Sequence, residues 1–306
     1  MNKPKIIVIC GPTASGKTVL SIKLAKRING EIISADSMQI YKYMDIGSAK
    51  PTIEEMEEIK HYMLDFIEPN IRYSVADYKK EAEKCIEEII QKGKTPIIVG
   101  GTGLYINSLI YGIEYKDIKF DQEFRNSLEE RVNREGLESI YNEALKIDPI
   151  AMEKISKNDK KRILRVIEIY HETGKTKTEQ EIESRKNEIK YDYKVFAINI
   201  EREKLYQRIN DRVDIMIEKG LIEEVKKIKE MYDDFPTAFQ GLGYKETVQY
   251  LDGFISKEEM IAKIKQESRR YAKRQLTWFK KNNDTIWLNG LDSNEKNIQI
   301  ILEETN

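Results

Sequence analysis

Short apolar runs rich in β-branched residues recur along the chain, each followed by a longer stretch whose apolar positions return every three or four residues. The first pattern predicts buried strands of a parallel sheet, and the second the helices that cover it. Strands are predicted at residues 5–10, 31–36, 61–66, 95–100, 194–200 and 285–289. Strands separated by helices imply an α/β fold with helices on both faces of the sheet. Between residues 116 and 190 the rhythm breaks: charge is dense, no β-branched run occurs, and helices are expected at 121–135 and 160–172. The simplest organisation is a sheet domain (1–115 and 191–306) interrupted by an all-helical insertion (116–190). Ordinary crossover helices within one domain are the alternative.

The first predicted strand runs into Gly11-Pro12-Thr13-Ala14-Ser15-Gly16-Lys17-Thr18, a complete match to the phosphate-cradling P-loop. Strand, glycine-rich loop and helix follow in the order this motif requires. Its backbone N–H groups wrap an anion, and the helix N-terminus adds about half a positive charge. Lys17 is expected to reach the outer phosphates and Thr18 to hold Mg²⁺. The fold is therefore expected to be P-loop NTPase-like, with a polyphosphate or pyrophosphate as cargo. Ligands in such sheets sit beyond the carboxyl ends of the strands. That rule places the P-loop, Asp36 and Gly100-Gly101-Thr102-Gly103 on one rim.

Composition narrows the class. The 306 residues are 40% hydrophobic and 34% charged, as in a globular protein with a charged surface. No apolar run approaches a membrane span, and the apolar start is too short for a signal peptide. Cys10 and Cys85 lie far apart in apolar patterns, which points to a reducing, cytoplasmic compartment without a disulfide framework. With only His61 and His171 besides, both read as structural, a zinc site is not expected. The net charge of −1 gives no global sign of nucleic acid, so any basic surface must be local.

Several constellations could carry chemistry. Asp36, at the end of the second strand, is placed to act as a general base, or else as a helix N-cap or magnesium-water ligand. Arg208 and Arg212 stand one turn apart on a predicted helix (203–219) and could clamp a phosphate, or pair with Asp211 or Asp214. Residues 153–165 are locally basic, and 263–281 hold eight Lys or Arg against one acid, interleaved with Tyr271, Trp278 and Phe279. Basic helices with aromatics suit an RNA backbone and unstacked bases, although a charge run also fits a solvated helix face. The stripe from Tyr105 to Ile110 reads as core.

Taken together, the motifs resemble those of the bacterial tRNA dimethylallyltransferases (tRNA isopentenyltransferases) over almost the whole chain. They are the P-loop, Ser34-Ala35-Asp36-Ser37-Met38-Gln39-Ile40-Tyr41-Lys42, Met44-Asp45-Ile46-Gly47-Ser48-Ala49-Lys50-Pro51, and the glycine run through Tyr105. Asn158 to Arg165, Gly174-Lys175, Arg208 to Arg212, Gly243 to Glu246, and Ala272 to Phe279 continue the match. The resemblance implies transfer of a dimethylallyl group from dimethylallyl diphosphate to N6 of the adenosine 3′ of the anticodon, in tRNAs reading codons that begin with U. It implies Asp36 as base, Thr102 near pyrophosphate and target base, and Arg212 with Lys17 and Mg²⁺ on the leaving group. It further implies tRNA contacts from Asp36, Ser37, Met38, Gln39, Thr102, Arg125, Lys161, Arg162, Ile163, Leu164 and Arg165. By the same resemblance Gln240 would contact tRNA near the target base, at a position where some relatives carry Arg. The insertion would grip the anticodon stem-loop, and a monomer without an obligate protein partner is expected.

A P-loop small-molecule kinase that closes Arg162 and Arg165 over ATP shares the loop, the sheet and the magnesium site. It has no need of the second basic, aromatic-rich run. A nucleotide-switched RNA-binding protein without turnover is the third class.

Overall fold

The computed structural model describes residues 3–114, 121–184 and 188–305. It falls into two compact units, residues 1–110 with 190–306, and residues 111–189. The predicted boundary at residues 115 and 116 lies outside the described residues. No described helix is long and apolar enough to cross a membrane.

The first unit is built on strands β1 (Lys5–Cys10), β2 (Gly30–Ser34), β3 (His61–Tyr62), β4 (Thr95–Gly100), β5 (Asp192–Asn199) and β6 (Ile286–Asn289). They form one sheet in the order β3-β2-β4-β1-β5-β6, with every pairing parallel. Two apolar layers cover its faces. Tyr78, Ala82, Ile86 and Ile106 pack against Val8 and Ile98 on one side, while Leu20, Leu24, Ile209 and Ile301 pack against Ile7, Ile9 and Ile97 on the other.

The sheet order decides where chemistry can occur. β4 lies between β1 and β2, so the loops leaving the carboxyl ends of all three strands are neighbours. The chain turns to opposite flanks of β1 at this point, the crevice where open α/β sheets bind ligands.

One predicted strand is much shorter than expected. The run 61–66 pairs only at His61–Tyr62, because Met63 (φ 61°) and Asp65 (φ 56°) take left-handed conformations that no strand accommodates. His61 has a structural role, with Nδ1 2.8 Å from the Ile59 carbonyl and burial holding its ring pKa down.

The second unit is helical in its described residues. Helices Gln122–Glu135, Leu137–Ile147 and Lys160–Thr173 pack around Leu128, Ile140, Ala144, Ile163, Leu164 and Ile167. Asp121 caps the first of these by accepting from Phe124 N–H at 2.9 Å, and Asp159 caps the last by accepting from Arg162 N–H at 3.1 Å. His171 stacks on Phe124 with ring centroids 3.7 Å apart, a packing role.

Candidate active site

The P-loop connects β1 to helix Lys17–Ile28 through three unusual backbone positions, Gly11 (φ 153°), Ala14 (φ 60°) and Gly16 (φ 88°). Ala14 stands in the left-handed region despite its Cβ, a local strain of the kind that collects at ligand clamps. Ser15 is 3% exposed, and its hydroxyl has no partner within the protein. An orphaned hydroxyl inside an N–H-lined loop is suited to an incoming anion.

Lys17 turns back over this loop and donates to the Pro12 carbonyl at 2.7 Å. Burial and then the Arg212 charge together push its ammonium down to about 8, against the opposing charge of Asp36. Burial also holds Arg212 below its usual range, again opposed by Asp36. Two half-buried cations thus face one carboxylate beside an anion cradle, and the excess positive charge fits a diphosphate.

Arg208 and Arg212 lie on helix Arg202–Glu218 and reach the loop region at different places. Arg208 lines a cavity of about 300 Å³ with Ser15, Gly16 and Val19, whereas Arg212 exerts its charge on Lys17. The two acids expected as alternative partners are engaged elsewhere. Asp211 accepts from Gln207 at 2.6 Å, and Asp214 pairs with Lys265 at 2.6 Å.

Asp36 follows β2 and closes a turn, its Oδ1 accepting from Met38 N–H at 2.9 Å and Gln39 N–H at 3.4 Å. Thr102 N–H donates to the Ala35 carbonyl at 3.0 Å, and Thr102 Oγ1 accepts from Ser37 N–H at 3.0 Å. The approach is close because Gly100 has no side chain: a Cβ there would stand 2.1 Å from the Ala35 oxygen. Gln39 is held at both ends of its amide, by Ser34 Oγ at 3.1 Å and the Ala49 carbonyl at 3.2 Å.

The segment Met44 to Pro51 owes its shape to Glu224, a residue that no sequence motif marks. Glu224 accepts from the N–H groups of Asp45 (2.9 Å), Ile46 (2.7 Å) and Gly47 (3.1 Å), and from Tyr244 OH at 2.7 Å. Lys50 closes the segment through Asp45, Asp65 and the Tyr41 carbonyl.

The run 263–281 needs correction. It lies largely on helix Lys257–Phe279, whose aromatics turn inward: Phe279 is 4% exposed, and Trp278 packs where a Gly103 Cβ would sit. Tyr271 faces the site, where burial and the Asp36 charge push its phenol up to about 12. An apolar helical stripe draws Trp278 and Phe279 to the core and away from stacked bases, while Tyr271 stays half-exposed.

Ile163 and Leu164 are corrected likewise. Both are fully buried in the second unit and present no side chain to RNA. Arg125 is 18% exposed and its guanidinium is held by Glu168 (2.5 Å) and Glu129 (3.1 Å). Arg165, 40% exposed, also pairs with Glu168, at 3.2 Å. Arg162 is 66% exposed beside Asp159, and Gln240 Nε2 donates to the Pro236 carbonyl at 2.9 Å.

Among the described residues no three His, Cys, Asp or Glu side chains converge to hold a metal. Thr18, in the first turn of its helix, and Asp36 nonetheless supply a hydroxyl and a carboxylate at the cradle. Such oxygen donors suit Mg²⁺, an ion that shares its ligands with a bound phosphate.

Comparison with known proteins finds relatives along nearly the whole chain. The IPP transferase family matches residues 39–282. The chain is 54% identical over 297 residues to a tRNA dimethylallyltransferase of Acetivibrio thermocellus, covering 96% of this chain and 95% of that one. It is 49% identical to one from Carboxydothermus hydrogenoformans, covering 98% of this chain and 97% of that one. Among solved structures, a tRNA isopentenylpyrophosphate transferase from Bacillus halodurans superposes with a TM-score of 0.74 at 42% identity, covering 99% of this chain and 96% of that one. A eukaryotic dimethylallyltransferase acting on tRNA superposes with a TM-score of 0.82 at 32% identity, covering 98% of this chain and 79% of that one. With identities this high along nearly its entire length, the chain belongs to the tRNA dimethylallyltransferases of the IPP transferase family.

Proposed function

We propose that the protein transfers the dimethylallyl group of dimethylallyl diphosphate to N6 of the adenosine 3′ of the anticodon, in tRNAs reading codons that begin with U. It would act as a cytoplasmic monomer. The observation that carries this reading is the pair of half-buried cations, Lys17 and Arg212, beside a carboxylate at a phosphate cradle. In transfer, the C1–O bond of the donor breaks as the N6–C1 bond forms, and the electron pair leaves with pyrophosphate. Lys17, Arg212 and the loop N–H groups stabilise the charge that grows on that leaving group. Mg²⁺ held by Thr18 would neutralise part of the diphosphate charge.

An aromatic amine is a weak nucleophile because its lone pair is shared with the ring. Asp36 Oδ1 is occupied by two backbone N–H groups, and the carboxylate takes the N6 proton as the new bond forms. Thr102, tied to Ser37, borders the same point. The adenosine must leave its stack to arrive there. Exposed Lys161 and Arg162, with Arg165, supply the phosphate contacts of the stem-loop, and Gln240 lies near the base.

Incubation with labelled dimethylallyl diphosphate and an anticodon stem-loop, followed by mass spectrometry of the nucleosides, tests this reading. N6-dimethylallyladenosine is expected. Label passing from ATP to a small acceptor, with none from the prenyl donor to RNA, would instead support a kinase.

A further inference from the structure

One buried polar side chain joins the two loops of the site. Gln275, on helix Lys257–Phe279, is 5% exposed. Its Oε1 accepts from Thr13 N–H at 3.0 Å, and its Nε2 donates to the Gly101 carbonyl at 2.9 Å. Thr13 belongs to the phosphate cradle, and Gly101 directly precedes Thr102. The absence of a side chain at Gly101 admits the amide, since a Cβ there would stand 2.2 Å from Nε2.

The residue type follows from the demand. A peptide N–H on one side and a peptide carbonyl on the other require an acceptor and a donor on one planar group. Asn offers the same pair but is one methylene shorter. Removing the amide would leave two backbone groups buried without partners.

We infer that Gln275 is a positioning residue of the transfer step, clamping the diphosphate-holding loop to the loop that carries Thr102. The inference rests on the proposed assignment of these loops to donor and acceptor. Through Gly101 the clamp reaches Thr102, whose hydroxyl receives the N–H of Ser37 beside Asp36. Beyond the pairing of Cys10 with Gly100, where the two loops begin, Gln275 thus helps to set the separation between departing pyrophosphate and proton acceptor. Displacement of reacting groups by about 1 Å lowers rates about 100-fold.

The test uses Gln275→Glu and Gln275→Met in the full-length protein. Glu keeps an acceptor toward Thr13 but sets a carboxylate oxygen against the Gly101 carbonyl, and protonation restores a donor there. At about pH 8, both variants are expected to lose roughly 10–100-fold in kcat, with KM for donor and stem-loop changed by less than about threefold. As the pH is lowered toward about 6, the Glu variant should approach the wild type because burial raises a carboxyl pKa, while the Met variant stays impaired. Combining Gln275→Met with Thr102→Val should reduce kcat by less than the product of the separate effects.

Wild-type kcat in both variants, or a deficit that follows melting temperature alone with the two substitutions multiplying, overturns the inference. Absence of prenyl transfer by the wild-type protein would instead overturn the assigned activity.

Discussion

Lys17 Nζ donates to the carbonyl of Pro12, five residues earlier in the same loop, at 2.7 Å. The ammonium thus lies folded over the cradle it serves, and an arriving diphosphate competes with one backbone carbonyl for it. Replacement by Met removes the charge and keeps the bulk. Lys17→Met is expected to weaken donor binding by at least about 10-fold, losing a hydrogen bond to a charged group worth about 1.5–3 kcal/mol. Calorimetric titration with the donor checks this, and unchanged affinity would remove Lys17 from the phosphate site.

The same residue sets a pH dependence. In the free protein the ammonium titrates near 8, and a bound anion raises that value. Donor affinity contributed by Lys17 is fully present below about pH 8 and is lost as the pH rises above it. Titrations between about pH 7 and 10 should show this fall in the wild type and a shallower one in Lys17→Met.

Asp36→Asn separates base from scaffold. The amide oxygen can still accept from Met38 and Gln39, so the turn is retained while the proton acceptor is lost. A fall of about 10²–10⁴-fold in kcat is expected, with donor affinity nearly intact. Should donor affinity collapse instead, Asp36 belongs to the metal site.

The helical unit offers a contrast among neighbouring residues of one helix. Lys161→Ala with Arg162→Ala should flatten the salt dependence of stem-loop binding, by about 0.7–0.9 in log–log slope for each phosphate no longer neutralised. Leu164→Ala should leave that slope alone and cost about 2–5 kcal/mol of stability, because the side chain is fully buried. Filter binding across salt concentrations and thermal melts distinguish the two outcomes.

Gly100→Ala probes the approach of β4 to the end of β2. The added methyl would stand 2.1 Å from the Ala35 oxygen, against backbone that cannot swing away. A loss of about 1–3 kcal/mol or more is expected, read as a lower melting temperature and reduced transfer.

How much of this is legible in sequence depends on the separation of the interacting parts. β1 and β4 are continuous apolar runs because both their faces are buried, and their signal is entirely local. Asp36 and Thr102 are visible because each closely follows such a strand. Gln275 lies in the family-like run Ala272 to Phe279, but its contacts are hidden: its partners lie 262 and 174 residues away, in a stretch that reads as basic surface. Its position within the stripe Ala272, Gln275, Phe279, a polar residue at a core spacing, is the local signal of an inward role. Ile163 and Leu164 are misplaced for the opposite reason. A block of consecutive helical residues spans more than one face, so it cannot all meet one ligand.

The register of β1 against β5, Lys5 opposite Asp192 through Cys10 opposite Ala197, joins strands on either side of the helical unit in sequence. During synthesis, β1 through β4 emerge well before β5 exists. Until then the β5-facing edge of β1 has open hydrogen-bonding groups beside Ile6, Ile7, Val8 and Ile9, a sticky template for other nascent chains. The helical unit, whose contacts are mostly local, can fold meanwhile. Biogenesis of this protein therefore includes an interval of half-built sheet, when chaperone protection matters most.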